Sequence, residues 1–447
     1  MFKKLEQALK FAKQQGADQA EVFASRSTAT RVNVRNQEVE ELKQANDVGF
    51  SIRILKNNSL GFAFSSELSE QSIESTVRKA LDSAKFTTPD ECNVLGTTSP
   101  AKLIDANALQ LLDPKLPDLT LDQKIAIAKQ IETAAREKAK VTKTEVVSYF
   151  DHLGEIFLAH SEGFSGSYQG STCGGSAEVI AEEQGVQAES GFGVDIRSKL
   201  AAFDPLFVGN EAAKQAVQML NGAPIATETL DIIFSPMVAI DFLEVLTPML
   251  CADNIIKGKS LLAGKEGEAI AAPLLTIVDN GLLVGGNGSA PFDAEGNPAQ
   301  ETIMVKGGTL KTFLYDNYCA KRCDTVSTGN AGRGSFMSLP SVSPTNIYIK
   351  AGADSEAKIL SGVTRGFYVT RVMGLHMADP ISGDFSLGAS GLLIEKGGLT
   401  TPVRGVAIAG NLQDLMRNIT AVGSNVRFVG STGAPTLHMG KLTVSGK

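Results

Sequence analysis

Residues 20–68, "AEVFASRSTATRVNVRNQEVEELKQANDVGFSIRILKNNSLGFAFSSEL", alternate polar and apolar side chains for far longer than one ordinary strand. A period of two places successive side chains on opposite faces of a pleated sheet, so this stretch predicts antiparallel β-structure. "KNNS" (56–59) sits between two such runs with the chemistry of a hairpin turn. Residues 143–198, "KTEVVSYFDHLGEIFLAHSEGFSGSYQGSTCGGSAEVIAEEQGVQAESGFGVDIRS", return to the same alternation. The chain has 44 glycines and only 6% aromatic residues, which favours turns and strands over a helical bundle.

Helices punctuate this pattern. Phe2, Leu5, Leu9 and Ala12 recur at helical spacing, so the first residues read as an amphipathic helix and not as a signal peptide. "LSEQSIESTVRKALDSAKF" follows with Ser69 as N-cap. A further helix over 120–140 opens on Thr120 and Gln123, the spacing of a capping box. "NEAAKQAVQMLNG" (210–222) is a fourth. Between the second and third, residues 86–119 read as an extended connector punctuated by proline and aspartate. "VGFSIRI" and "GFGVDIRS" echo one another ahead of helices, which raises an internal duplication of this half.

A break at "NGAPIATETL" (221–230) opens the second half. Beyond it, "LLTIVDNGLLVGG", "ETIMVKGGTLKTFLYDN", "TNIYIKAG", "GFYVTRVMG", "GLLIEKGGLTTPVRGVAIAG" and "LHMGKLTVSG" read as strands, with "NLQDLMRNITAV" a short helix among them. At 447 residues the chain exceeds one ordinary core. The expected fold is α+β in two domains. Residues 1–222 form an antiparallel sheet with helices, and 223–447 form a largely antiparallel β-rich domain with a few helices.

Composition narrows the function. The net charge of −7 is well mixed and no Lys/Arg stripe occurs, which argues against direct nucleic-acid binding. No apolar run approaches 18 residues, so no membrane span is expected. The five cysteines at 92, 173, 251, 319 and 323 are odd in number and scattered, with no disulfide framework; a cytoplasmic location is expected.

Chemistry-bearing motifs are sparse. His152, His160, His376 and His438 share no helical metal-ligand spacing, and no His-Glu-x-x-His occurs. Cys319 and Cys323 lie four apart without a second pair, which reads as two reduced thiols. "GGNGS" (285–289) does not lead into a helix, so it reads as a surface turn rather than a phosphate cradle. "SGDFSLGASG" (382–391) has no base close in sequence to activate Ser386 or Ser390, and its alternating small residues suit a tight strand crossing.

One helix remains, "SPMVAIDFLEVLTPML" (235–250). Ser235 suits the N-cap and Pro236 the first turn. Pro248 kinks or ends the helix. Asp241 and Glu244 lie three apart and form its one charged stripe amid apolar neighbours. On chemistry alone this is a core helix with one polar edge, or a carboxylate pair for acid–base work.

The C-terminal third carries a resemblance. "GFYVTRVMG", "SGDFSLGASGLLIEKGGLTTPVRGVAIAGNLQDLMRNITAVGSNV" and "PTLHMGKLTVSG" resemble the PmbA/TldD family, and within it the PmbA branch, also called TldE. The likeness runs back through "FDAEGNPAQETIMVKGGTLKTFLYDNYCAKR" and "STGNAGRG" and, more loosely, to "GADQAEVFASRS". It implies a two-subunit proteolytic complex acting on unfolded peptides, from a family long described as a modulator of DNA gyrase. The TldD-type subunit holds a metal with His-Glu-x-x-x-His and a cysteine near its C-terminus.

Matching "LxxD…GxS" through Leu250, Asp253, Gly258 and Ser260 puts Leu243 and Pro248 at the two histidine positions and Glu244 at the glutamate. "NVRFVGSTGAPTLHMG" has no cysteine. The resemblance thus implies a subunit with a degenerate site, no metal or cofactor of its own, a TldD-like partner and an unfolded peptide as substrate. Two alternatives stand beside it. One is a self-sufficient, metal-independent peptidase homodimer with Asp241 and Glu244 as its first suspects; the other is a gyrase-associated regulator.

Overall fold

The computed structural model describes residues 1–96, 103–375, 379 and 381–447. Residues 97–102 of the expected connector and His376 lie outside them. The fold is α+β.

The first half begins with α1 (Phe2–Gln14), β1 (Gln19–Arg35), β2 (Glu38–Lys56), β3 (Ser59–Ser65) and α2 (Glu70–Ala84). It continues with α3 (Leu121–Arg136), β4 (Val141–His160), β5 (Ser165–Ala181), β6 (Glu189–Arg197) and α4 (Pro205–Gln218). Helix, three strands, helix therefore occurs twice. The strands form one antiparallel sheet in the order β3-β2-β1-β4-β5-β6, with β1 and β4 joining the halves. "VGFSIRI" lies in the second strand of its half and "GFGVDIRS" in the third, so those two echoes are not equivalent positions.

Local chemistry explains the turns and caps. Asn57 and Asn58 take positive φ between β2 and β3, a conformation asparagine tolerates well. Asn36 and Gln37 do the same between β1 and β2, and the Glu132 carboxylate accepts both of their backbone N–H groups at 2.7 and 2.6 Å. Ser69 caps α2, and Thr120 with Gln123 forms the full reciprocal box at α3. Helix α4 starts five residues before the expected position 210, because Asp204 caps it and Pro205 takes the first position.

All four helices cover one face of the sheet. Val22, Ala24, Ile52 and Ile54 pack under α1 and α2. Val32, Val147, Ala177 and Val179 pack under α3 and α4. Glycine permits the closest approach in the outer strand of each half. A Cβ on Gly61 would stand 1.9 Å from the Ala80 carbonyl oxygen of α2, and one on Gly191 would stand 2.1 Å from that of Ala212 in α4. The described residues of 86–119 are not a free connector: Leu95, Leu109, Leu111 and Leu116 are buried.

The second half runs β7 (Glu228–Phe234), α5 (Pro236–Leu246), α6 (Ala252–Ile256), β8 (Ile277–Asn280), β9 (Glu301–Lys306), β10 (Thr309–Leu310) and α7 (Asn317–Arg322). Next come β11 (Ala331–Gly332), β12 (Ser341–Val342), β13 (Ile347–Ile349), α8 (Glu356–Ser361), β14 (Arg365–Met373) and β15 (Asp384–Glu395). It ends with β16 (Gly398–Asn411), α9 (Leu412–Arg417), β17 (Ala421–Val422), β18 (Arg427–Val429), β19 (Thr432–Ala434) and β20 (Leu437–Ser445).

Strands β16-β15-β14-β7-β20 form a ring, closed where Ala407 and Ile408 of β16 meet Ser445 and Val444 of β20. Closure removes the edges that an open sheet would expose. A second sheet has the order β10-β9-β8-β13-β19-β18, and β11 pairs with β12. Pairings are largely antiparallel; β7 with β14 and β13 with β19 are parallel. "LLTIVDNGLLVGG" holds only the short strand β8, because the following residues turn back through Gly285, which has positive φ.

The bare face of the first sheet meets the second half through buried charge. Arg53 donates to Glu21 from Nε at 3.0 Å and again from Nη2, and to Glu295 from Nη1 at 3.0 Å. Arg333 also pairs with Glu21. The "GGNGS" loop is likewise not a surface turn. Gly285 N donates to Leu109 O at 2.8 Å, Ser198 Oγ to Gly285 O at 2.8 Å, and Asn287 Nδ2 to Gly430 O at 3.0 Å and Ile196 O at 3.3 Å. Its glycines wedge it between the two halves.

Candidate functional site

Helix α5 packs between barrel strands β7 and β14 on one side and β18–β19 on the other. Ser235 Oγ accepts from Val238 N at 3.4 Å and Pro236 takes the first helical position. Pro248 ends the α-helix and begins a tight 3₁₀ turn over Thr247–Leu250, while Thr247 Oγ1 donates to the Leu243 carbonyl at 2.8 Å. The apolar faces of α5 then disappear into the main core. Val238, Phe242, Leu243 and Leu246 are buried there, and Leu243 has no exposed surface at all.

Asp241 is half-buried, whereas Glu244 and Pro248 are exposed. The structure brings Asp241 and Glu244 together on one stripe. Burial, and then the Glu244 carboxylate, push the Asp241 pKa up to about 6. Partial loss of water also raises Glu244, against the opposing hydroxyl of Thr432 on β19. Such a pair can hold or release a proton near neutrality.

The sign of the linkage follows. Asp241 binds its proton more tightly folded than unfolded, so its contribution to stability falls as pH rises from 3.8 through about 6. We expect Asp241→Asn to stabilise the chain by about 1 kcal/mol at pH 7, after allowing for solvent at its exposed edge. The gain should vanish below pH 3.8, where the carboxyl is protonated in both states. Urea denaturation at the two pH values checks this.

The other sequence candidates are dispersed. His160 lies buried in the first sheet, stacked on Phe164 at 5.5 Å. His152 sits on β4. His438 pairs with Asp231 at 3.2 Å across β20 and β7. All five cysteines are free, and burial raises the Cys251 thiol to about 12 and Cys319 further, so both stay protonated. Ser386 and Ser390 lie within β15, whose pairing with β14 and β16 accounts for its small residues.

What the sequence did not reveal is the seam between the halves. The buried Glu21–Arg53–Glu295–Arg333 cluster comes from four separate segments, and glycine density in "GGNGS" and "AGRG" was its only trace.

Comparison with known proteins fixes the relationship. Metalloprotease PmbA of Escherichia coli is 30% identical over 434 residues, covering 96% of this chain and 93% of the relative. The chain belongs to the PmbA/TldD family. Family models described as PmbA/TldA metallopeptidase domain 1, central domain and C-terminal domain match residues 20–84, 114–220 and 227–446.

A Metalloprotease TldD homolog of Haemophilus influenzae is 26% identical over 435 residues, covering 90% of this chain and 87% of the relative. Among solved structures, one from Thermotoga maritima, named a candidate modulator of a DNA gyrase, aligns with a TM-score of 0.91 at 24% identity over 100% of both chains. TldE from Thermococcus kodakarensis aligns with a TM-score of 0.86 at 23% identity, over 99% of this chain and 100% of that one. These two carry the fold.

Relatives in the PmbA/TldD family are named metalloproteases, so the residues of α5 must be weighed as metal ligands. They do not fit. Leucine and proline offer no lone pair to a metal, and Leu243 points into the core instead of a cavity. Among the described residues no three His, Cys, Asp or Glu side chains are grouped to hold an ion.

Proposed function

We propose that this chain is the PmbA/TldE-type, non-catalytic subunit of a two-part peptidase of the PmbA/TldD family. It shapes the chamber and holds an unfolded peptide, while a TldD-like subunit contributes the reactive centre. The single observation that carries this reading is Leu243. Where a metal-binding helix of this family needs an imidazole, this one has a side chain wholly buried in the core. Glu244 survives beside it as an exposed carboxylate on a helix whose remaining surface serves packing.

The Asp241–Glu244 pair supports a second reading, a metal-independent peptidase that works as a homodimer, because a carboxyl titrating at about 6 is suited to proton transfer. One experiment separates the two. Asp241→Asn and Glu244→Gln are made singly, and peptide cleavage is followed with and without a TldD-like partner. The subunit reading expects cleavage only in the mixture, at the wild-type rate with either variant. Cleavage by the chain alone that collapses on either substitution would establish the second reading.

A further inference from the structure

Between the bare face of the first sheet and the loops of the second half lies a cavity of about 190 Å³. Phe23, Ile156, Leu158, Tyr168 and Phe292 form its apolar wall. Phe292 stands edge-on to Phe164 and Tyr168 at 5.0 and 5.2 Å, which holds the aromatic wall in place. An apolar cavity of ~150 Å³ is enough to accept benzene. A cleft of about 410 Å³ shares Phe23, Ile156 and Tyr168 with it. The cleft floor is low, because Ser25, Ser27, Gly154, Gly170 and Thr172 line it from three neighbouring strands. Its far wall is the "GGNGS" loop and Arg333–Ser335.

Arg333 lines both spaces. Its side chain is 1% exposed, and Nη2 is engaged by Glu21 and by the Ala294 carbonyl at 3.3 Å. Nε and Nη1 have no acceptor among the described residues. Leaving a buried donor unpaired is unfavourable, so an acceptor supplied from outside would satisfy it. The charges around the space are largely matched, and the exposed Asp47 on the cleft adds one negative charge. Arg26 pairs with Glu155, Arg333 with Glu21, and Asp293 accepts the backbone N–H groups of Glu295, Asn297 and Ala331 at 2.9, 2.9 and 3.1 Å. A neutral ligand with an apolar group and a carbonyl oxygen meets these demands better than an anion.

We propose that this space is a subsite for an extended peptide: one large apolar or aromatic side chain fills the cavity, a main-chain carbonyl accepts from Arg333, and the flanking residues lie along the cleft. The inference rests on the reading that the chain holds unfolded peptides, and it places the grip away from α5. The loop that forms the cleft wall touches β18–β19 through Asn287 and Gly430, and Thr432 of β19 faces Glu244, so the two regions adjoin.

The test uses the full-length chain alone and a fluorescein-labelled Gly/Ser peptide carrying one phenylalanine, with an alanine counterpart. Fluorescence anisotropy is expected to show the phenylalanine peptide binding roughly 10- to 100-fold more tightly, the yield of burying one such side chain. Gly170→Phe, which fills the cleft beside the cavity, should weaken the binding of both peptides. A Cβ there meets only Leu111 at 3.8 and 4.0 Å, so the variant has room to fold, and an unchanged melting temperature verifies it. Ala290→Phe, which lines the cavity as well as the cleft, should remove the preference for phenylalanine itself. Equal affinity for the two peptides, no binding, or indifference to both substitutions overturns the proposal. Selective binding by a chain that stimulates no cleavage with a TldD-like partner would support the pocket and overturn the subunit reading.

Discussion

Replacing Arg53 with methionine is expected to destabilise the chain by about 3–5 kcal/mol, the cost of removing one partner from a buried ion pair. Arg53 is 5% exposed and serves two carboxylates from different halves of the molecule, Glu21 on β1 and Glu295 beyond β8. Methionine fills similar volume but leaves Glu295 without its cation. The substitution on the other side of that pair should be milder. Burial pushes the Glu295 pKa up even against the opposing Arg53 charge, so its neutral form is easier to reach than that of an ordinary carboxyl. Glu295→Gln resembles that neutral form. Denaturant unfolding at pH 7 should therefore rank Arg53→Met well below Glu295→Gln.

Leu243→His should cost about 3–5 kcal/mol and create no metal site. The new imidazole would enter a core position with no exposed surface, losing apolar burial and leaving ring nitrogens unpaired among Phe242, Leu246 and their neighbours. Pro248→His should be nearly neutral, within about 1 kcal/mol, because that residue is exposed at the start of a 3₁₀ turn. The asymmetry matters for the family comparison. Restoring two histidines at the matching positions does not restore a centre, since one of them faces the wrong way. Thermal denaturation with and without zinc checks both: Leu243→His should melt lower, and zinc should recover none of the loss.

The elements whose signals are local were legible in the sequence. Asn57–Asn58, the Thr120–Gln123 box and the Ser235–Pro236 start each act over two to four residues, and each appears where its chemistry requires. Elements set by distant partners were not. The start of α4 lay five residues ahead of the expected one because Asp204 and Pro205 are polar or turn-like by themselves. The barrel closes through Ala407 and Ile408 against the last strand, a pairing no local pattern encodes. Arg53 and Glu295 are ordinary surface residue types until the fold buries them together. At the candidate site, the stripe of Asp241 and Glu244 was visible as helical spacing, while the burial that raises Asp241 comes from the elements packed around α5. The "GGNGS" loop misled for the same reason: glycine marks an unusual backbone, and only the surrounding structure decides whether that backbone is exposed or wedged.

We propose that this chain holds peptides for a reactive centre it does not itself contain. The most direct measurement is peptide cleavage and bound zinc for the chain alone, for a TldD-like subunit bearing His-Glu-x-x-x-His alone, and for the two mixed in equal amounts. Cleavage is expected in the mixture only, with no firmly bound zinc on this chain. A stoichiometric, tightly held zinc on the isolated chain, or peptide cleavage by it at the rate of the mixture, would contradict it.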